Sequence, residues 1–256
     1  MPNIDSDVDS MQQLQTPSGF AFSGVGLDQL GATEYTLSTV VVDVSGSVAA
    51  FKKELEKCLK TILTSCKKAP RAENLLFRLV SFNQDVSEIH GFRLLSDIKA
   101  NEYDGILSPN GNTALYDAVI SSVEATGIQG EQLAGQEYMA NGVVYVITDG
   151  MDNSSSSTPK SIKKAIDAIR KAENLESMAV ILIMVGASDP MAASDLEKFK
   201  KQAEITQFVD LTDLFAKSSP EGALAKLAGY ISKSISSTSQ ALASGSTTPH
   251  SSQLTF

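Results

Sequence analysis

Apolar positions along this chain alternate between two periodicities. Uninterrupted β-branched and aliphatic runs read as strands buried on both faces, as in a parallel sheet. Stretches with apolar residues every third or fourth position read as helices with one buried face. The first strand runs from Tyr35 to about Val44, and Phe51, Leu55, Leu59, Ile62 and Cys66 mark the helix after it. Leu75 to Phe82 (LLFRLVSF) is a second strand, and Val86 to Leu94 is a more polar one, suited to a sheet edge. Thr113 opens a helix (TALYDAVISSVEA), and a Gly- and Gln-rich loop is predicted from Gly127 to Gly142. GVVYVIT and MAVILIMV (178–185) are further buried strands, separated by a helix that starts at Thr158-Pro159. Ser194 and Glu197 have capping-box spacing for a helix through about Ala203. A short strand near Phe208 and helices over 211–217 and 220–235 complete the pattern.

Strand and helix alternate throughout, so the expected fold class is α/β. The sheet is doubly wound and mostly parallel, with one antiparallel edge strand and helices on both faces. Three regions follow: an aperiodic N-terminal arm (1–33), the α/β domain (34–235) and a Ser/Thr-rich tail (236–256) expected to be disordered. Removing that tail is expected to leave thermal stability unchanged.

Composition narrows the function. The 256 residues carry a net charge of -9. That leaves no excess of Lys and Arg to neutralise nucleic-acid phosphates or to bind an anionic membrane surface. The longest apolar runs are about ten residues, against roughly 20 needed to span a bilayer. The opening MPNIDSDVDSMQQ has neither the basic start nor the apolar core of a secretory peptide. Cys58 and Cys66 sit eight positions apart on one helix, roughly 12 Å at 1.5 Å per residue, beyond disulfide reach. These features make a reducing, cytoplasmic setting the expectation.

The chemistry collects where the strands end. Asp43, Ser45 and Ser47 follow the first strand at alternate positions, Thr113 stands in GNTAL, and Asp149 follows GVVYVIT. Carboxyl ends of strands are where open α/β sheets place ligands. Singly, each piece has an ordinary explanation: a serine after a strand caps a helix, and TDG makes a turn. Together they supply two carboxylates and three hydroxyls without histidine or thiolate, an all-oxygen set suited to a hard cation such as Mg²⁺ or Mn²⁺. Asp152 and Asn153 are read as turn residues, Asp117 as a solvated or capping group, and His90 and His250 as surface residues.

DVSGS, GNTAL and TDG resemble the DxSxS, threonine-loop and TDG motifs of the von Willebrand factor A domain family and its metal-ion-dependent adhesion site. The resemblance covers about residues 35–235. It implies Ser45 and Ser47 as direct metal ligands, and Asp43 acting through water or by orienting its loop. It further implies Thr113 as a direct or water-bridged ligand and Asp149 largely behind the ligands. The implied function is non-enzymatic, Mg²⁺-dependent binding of a partner protein whose Asp or Glu completes the metal's coordination. Intracellular members of the family work with AAA+ ATPases of the MoxR type, which makes an adaptor role the leading expectation. The alternatives are a structural component of a virion or other large assembly and, behind it, a metal-dependent hydrolase. The chain lacks G-x-S-x-G, a P-loop and a strand-linked G-x-G-x-x-G, which argues against acyl transfer and nucleotide hydrolysis.

Overall fold

The computed structural model describes residues 12–186 and 191–244. A short antiparallel hairpin, β1 (Gln12–Gln15) and β2 (Ala21–Gly24), precedes the α/β domain. The domain then runs β3 (Glu34–Asp43), α1 (Lys52–Cys66), β4 (Leu75–Phe82), β5 (Val86–Leu94), α2 (Leu115–Ala134) and β6 (Met139–Thr148). It continues with α3 (Pro159–Ala172), β7 (Ser177–Met184), α4 (Ala192–Ala203), β8 (Gln207–Asp210), α5 (Thr212–Lys217) and α6 (Pro220–Ala243). The six-stranded sheet has the order β5-β4-β3-β6-β7-β8, and only the β4–β5 pairing is antiparallel. This is the doubly wound α/β architecture expected, with the antiparallel strand at one edge.

Alternation along each strand divides the core. Val40 and Val42 of β3 face a layer that includes Leu55, Leu59 and Ile62 of α1 and Leu227 and Ile231 of α6. Leu37 and Val41 face the opposite layer, with Val119 and Val123 of α2, Ile162 of α3 and Leu196 of α4. A sheet buried on both faces accounts for strands that read as continuous apolar runs.

The N-terminal arm packs on the domain from residue 12 onward. Phe22 is buried against the α2 side of the core. Arg78 of β4, itself buried, donates from Nε to Glu88 Oε2 of β5 at 2.7 Å, and Glu88 Oε1 accepts from Ser23 N at 2.8 Å. The rings of Phe22 and Phe92 lie 5.8 and 6.0 Å from the guanidinium carbon. One buried ion pair therefore ties the hairpin to the sheet.

Four expectations are corrected. The loop predicted from Gly127 is mostly helix, because α2 continues to Ala134. A Cβ on Gly130 would stand 2.5 Å from Leu175 Cδ2, and one on Gly127 would stand 2.6 Å from Ile169 Cγ1. These glycines let α2 pack closely rather than break it. Helix α4 starts at Ala192, so Ser194 lies in its first turn and forms no capping box with Glu197. His90 is packed rather than a surface residue: it stacks on Tyr103 with ring centroids 5.8 Å apart. Its Nδ1 donates to Gly91 O (2.9 Å), leaving Nε2 to accept from the Tyr103 hydroxyl (2.8 Å), and burial pushes its pKa down to about 4.

The fourth correction concerns the tail. Helix α6 passes Ser236 and runs to Ala243, with Ser239, Ala241 and Leu242 buried. Its hydroxyls fold back on the helix: Ser232 Oγ donates to Ala228 O (2.7 Å) and Thr238 Oγ1 to Ser234 O (3.0 Å). A Ser/Thr-rich stretch can thus stay helical when one face is covered. Residues 245–256 and His250 lie outside the described residues. Both cysteines are buried, and burial raises Cys58 to about 12 and Cys66 to about 11. Their reduced state reflects inaccessibility, so it carries no information about the compartment.

Truncation after Ser236 is accordingly expected to remove about 2 kcal/mol or more of stability through the lost Leu242 burial. That lowers the thermal midpoint by several degrees. An unchanged midpoint in a calorimetric scan would show that residues 237–243 do not dock.

Candidate metal centre

The sheet topology decides where this site lies. From β3 the chain crosses to β4 on one side, and from β6 it crosses to β7 on the other. The carboxyl ends of adjacent β3 and β6 therefore flank the switch point, where doubly wound sheets open a crevice. Asp43 is the last residue of β3, and Asp149 follows the last residue of β6.

Asp43 is held at both oxygens. Its Oδ1 accepts from Ser45 N at 2.7 Å, which shapes the turn after the strand, and its Oδ2 accepts from the Thr148 hydroxyl at 2.7 Å. Ser45 occupies the N-cap position of a 3₁₀ turn (Gly46–Phe51), yet its side chain makes no capping bond. Its hydroxyl lies 3.1 Å from that of Ser47, and the Ser47 hydroxyl donates to Asp149 Oδ1 at 2.9 Å. Because Ser47 spends its single proton on Asp149, it can only accept from Ser45, whose hydroxyl also acts on Asp43. Both serine protons thus run toward a carboxylate, and lone pairs on both oxygens stay available to a cation.

Thr113 reaches the same end on the loop before α2 and is buried. That loop is tied to the first by Gly46 N donating to Gly111 O (3.2 Å) and Asn110 N donating to Val44 O (2.9 Å). Gly111 has φ +72, a left-handed conformation that favours glycine, and the Gln84 side-chain amide lies where a Cβ would stand. The Thr113 hydroxyl is not part of the Ser45–Ser47–Asp149 chain. The structure therefore links Asp43, Ser45, Ser47 and Asp149 by hydrogen bonds and sets Thr113 beside them through the backbone.

Burial dominates the electrostatics of both carboxyls. Burial raises the Asp43 pKa despite its hydrogen bonds. Burial first, and then the Asp43 charge, push Asp149 up to about 6. No basic side chain figures among the groups acting on either carboxyl. Among the described residues no cluster of three or more His, Cys, Asp and Glu side chains could hold a metal, so any ion here would rest on two carboxylates supplemented by hydroxyls. An all-oxygen set of this kind fits a hard divalent cation.

Comparison with known proteins defines the fold. No protein-family model and no curated protein matches this chain. Solved structures do match it. A D319A mutant of the PilB minor pilin from Streptococcus sanguinis is 15% identical, with a TM-score of 0.56 over 90% of this chain and 67% of the pilin. Proximal thread matrix protein 1 from the mussel byssus is 18% identical, with a TM-score of 0.51 over 80% of this chain and 47% of that one. The pilus adhesin SpaC from Lactobacillus rhamnosus GG is 12% identical, with a TM-score of 0.53 over 86% of this chain and 32% of the adhesin. At these identities the likeness is one of fold, the von Willebrand factor A/Rossmann-like α/β arrangement. The chain spans about two thirds of the pilin and less than half of the other two.

Sequence reasoning missed Thr148, which fixes the second oxygen of Asp43 and whose signal was its place in TDG. It also missed the bonds of Asp152, Asn153 and Asp117 across loops, since none of these residues belongs to the resembling motifs.

The raised carboxyl pKa values carry a pH signature. Asp149 binds its proton more tightly in the folded protein (about 6) than at its ordinary value of 3.8. In metal-free protein this pair therefore favours the fold at low pH, and that contribution is lost as pH rises through about 6. In EDTA, the thermal midpoint of Asp149→Asn is expected to fall less than wild type between pH 5 and pH 7.5. Parallel curves for the two proteins would contradict the assignment.

Proposed function

We propose that this chain is a non-enzymatic, divalent-metal-dependent protein-binding module of the von Willebrand factor A type. The observation that carries the reading is a pair of poorly solvated carboxylates, Asp43 and Asp149, without a basic partner and flanked by serine hydroxyls that keep lone pairs free. Ser45 and Ser47 would hold the ion directly, Thr113 directly or through water, and Asp43 and Asp149 largely through water. When bound, Mg²⁺ or Mn²⁺ offers an electrophilic coordination position that an Asp or Glu of a partner protein completes.

The roles of the chain's own residues follow from their bonds. Thr148 and the Ser45 amide orient Asp43, and Asp149 accepts the Ser47 hydrogen bond, which would leave the Ser47 oxygen's lone pairs for an ion. Neutral hydroxyls in direct contact would leave most of the cation's charge uncompensated, which favours an anionic ligand from outside. The commitments of the described histidine and of Ser155 support a binding role over hydrolysis through a histidine-activated nucleophile. His90 is committed to Gly91 and Tyr103, and Ser155 hydrogen-bonds Asp152 with no imidazole beside it. An intracellular adaptor role, with an AAA+ ATPase of the MoxR type as partner, rests on the motif resemblance and is part of the proposal. So is a cytoplasmic location; among the described residues no helix is long and apolar enough to cross a membrane.

Titration of the purified chain with Mn²⁺, read by electron paramagnetic resonance, is expected to show one site. Asp43→Asn and Ser45→Ala should each weaken it about 10-fold or more, with Thr113→Ala weakening it less because water can replace one hydroxyl. Partner capture should vanish in EDTA and return with Mg²⁺. Unchanged Mn²⁺ affinity in both Asp43→Asn and Ser45→Ala would refute the site.

A further inference from the structure

We infer that Asn153 is a positioning residue for Thr113, the outer member of a clamp that fuses the loop after β6 to the N-terminus of α2. The inference rests on the metal-dependent reading above and adds to it a residue outside the resembling motifs.

The clamp is built from bonds exchanged in both directions. Thr113 N donates to Asn153 Oδ1 at 2.8 Å, and Asn153 N donates back to Thr113 O at 3.0 Å. Thr113 is thus gripped on both sides of its own backbone, which fixes where its hydroxyl starts from. The same exchange continues into the helix. Ala114, at the N-cap of α2, supplies no side-chain cap, leaving the first amides of the helix without local partners. Asp152 Oδ1 accepts from Tyr116 N at 3.2 Å, and Ser155 Oγ accepts from Asp117 N at 3.0 Å. Asp117 returns the bonds, its carboxylate accepting from Ser156 N at 3.0 Å and Ser157 N at 2.8 Å.

The loop after β6 therefore caps α2, and α2 caps the loop. A carboxylate at a helix N-terminus also interacts favourably with the helix dipole. Asp149 leads into this loop and Thr113 leads into this helix, so the clamp sets the spacing between two members of the candidate site. It touches neither Asp43 nor Ser45. Asn153 is the link that reaches Thr113 itself, and its side chain is exposed, so its removal disturbs no core packing.

The test has a metal-free arm and a metal arm. In metal-free protein, Asn153→Ala should speed hydrogen exchange at the Thr113 amide, and Asn153→Asp, which keeps the acceptor, should restore protection. With Mn²⁺ alone as the probe, Asn153→Ala should weaken binding about 5-fold and no more than Thr113→Ala does, as expected for a residue that acts only by orienting Thr113. Asn153→Asp should bind as tightly as wild type or tighter. In a Thr113→Ala background, Asn153→Ala should cost less than about 2-fold further, because its effect passes through Thr113. Faster exchange with unchanged affinity, or a full additional loss in the Thr113→Ala background, would overturn the positioning role while leaving the metal site intact. Absence of Mn²⁺ binding in wild type would bring down the metal reading, and the positioning role with it, whatever the exchange data show.

Discussion

A carboxylate withdrawn from water at the end of a central strand is the constraint on which this protein turns. Asp43 is 1% exposed, and what holds its charge is a backbone amide and a hydroxyl rather than a cation. Hydrogen bonds of this kind offset part of the desolvation but not all of it, so the carboxyl remains harder to ionise than in water. A second carboxylate, Asp149, stands near enough for its own ionisation to feel the first. That pair, with no lysine or arginine among the groups acting on it, is the place where the proposal puts a cation.

The rest of the structure serves to hold that place open. Parallel strands β3 and β6 deliver the two carboxylates to one end of the sheet because the chain reverses its direction of winding between them. Serine hydroxyls bridge from one strand end to the other, and the threonine loop takes a bond from Gly46 N at the carbonyl of Gly111. The loop after β6 exchanges caps with α2 in addition to its own local bonds, Ser155 to Asp152 among them. Under the proposed function the stiffness of these loops would matter, because magnesium tolerates little departure from octahedral geometry.

Much of this was readable before any coordinates. The central strands β3, β4, β6 and β7 were visible as apolar runs, because burial on both faces removes the alternation that a half-exposed strand would show, whereas β1 and β2 lie in a segment without periodicity. Asp43, Ser45, Ser47, Thr113 and Asp149 stood out because polar residues begin abruptly where those runs stop. What was hidden depends on partners distant in sequence. Gly127 and Gly130 look like loop glycines until Ile169 and Leu175 are seen lying against them. The end of α6 looks like a polar tail until Arg71 is found donating to Ser239 and Leu242 is found buried. His90 looks like an edge-strand surface residue until Tyr103 stacks on it. Asn153 reads as a turn residue from its neighbours alone, and only the fold reveals that it grips Thr113, forty positions away.

The central claim, that one divalent cation belongs between these loops, is tested most directly by anomalous diffraction from crystals grown with Mn²⁺ and measured at the manganese edge. The expected result is a single peak among Asp43, Ser45, Ser47, Thr113 and Asp149, in contact with the two serine oxygens. A well-ordered map with no peak there, and with the three loops drawn apart, would contradict it.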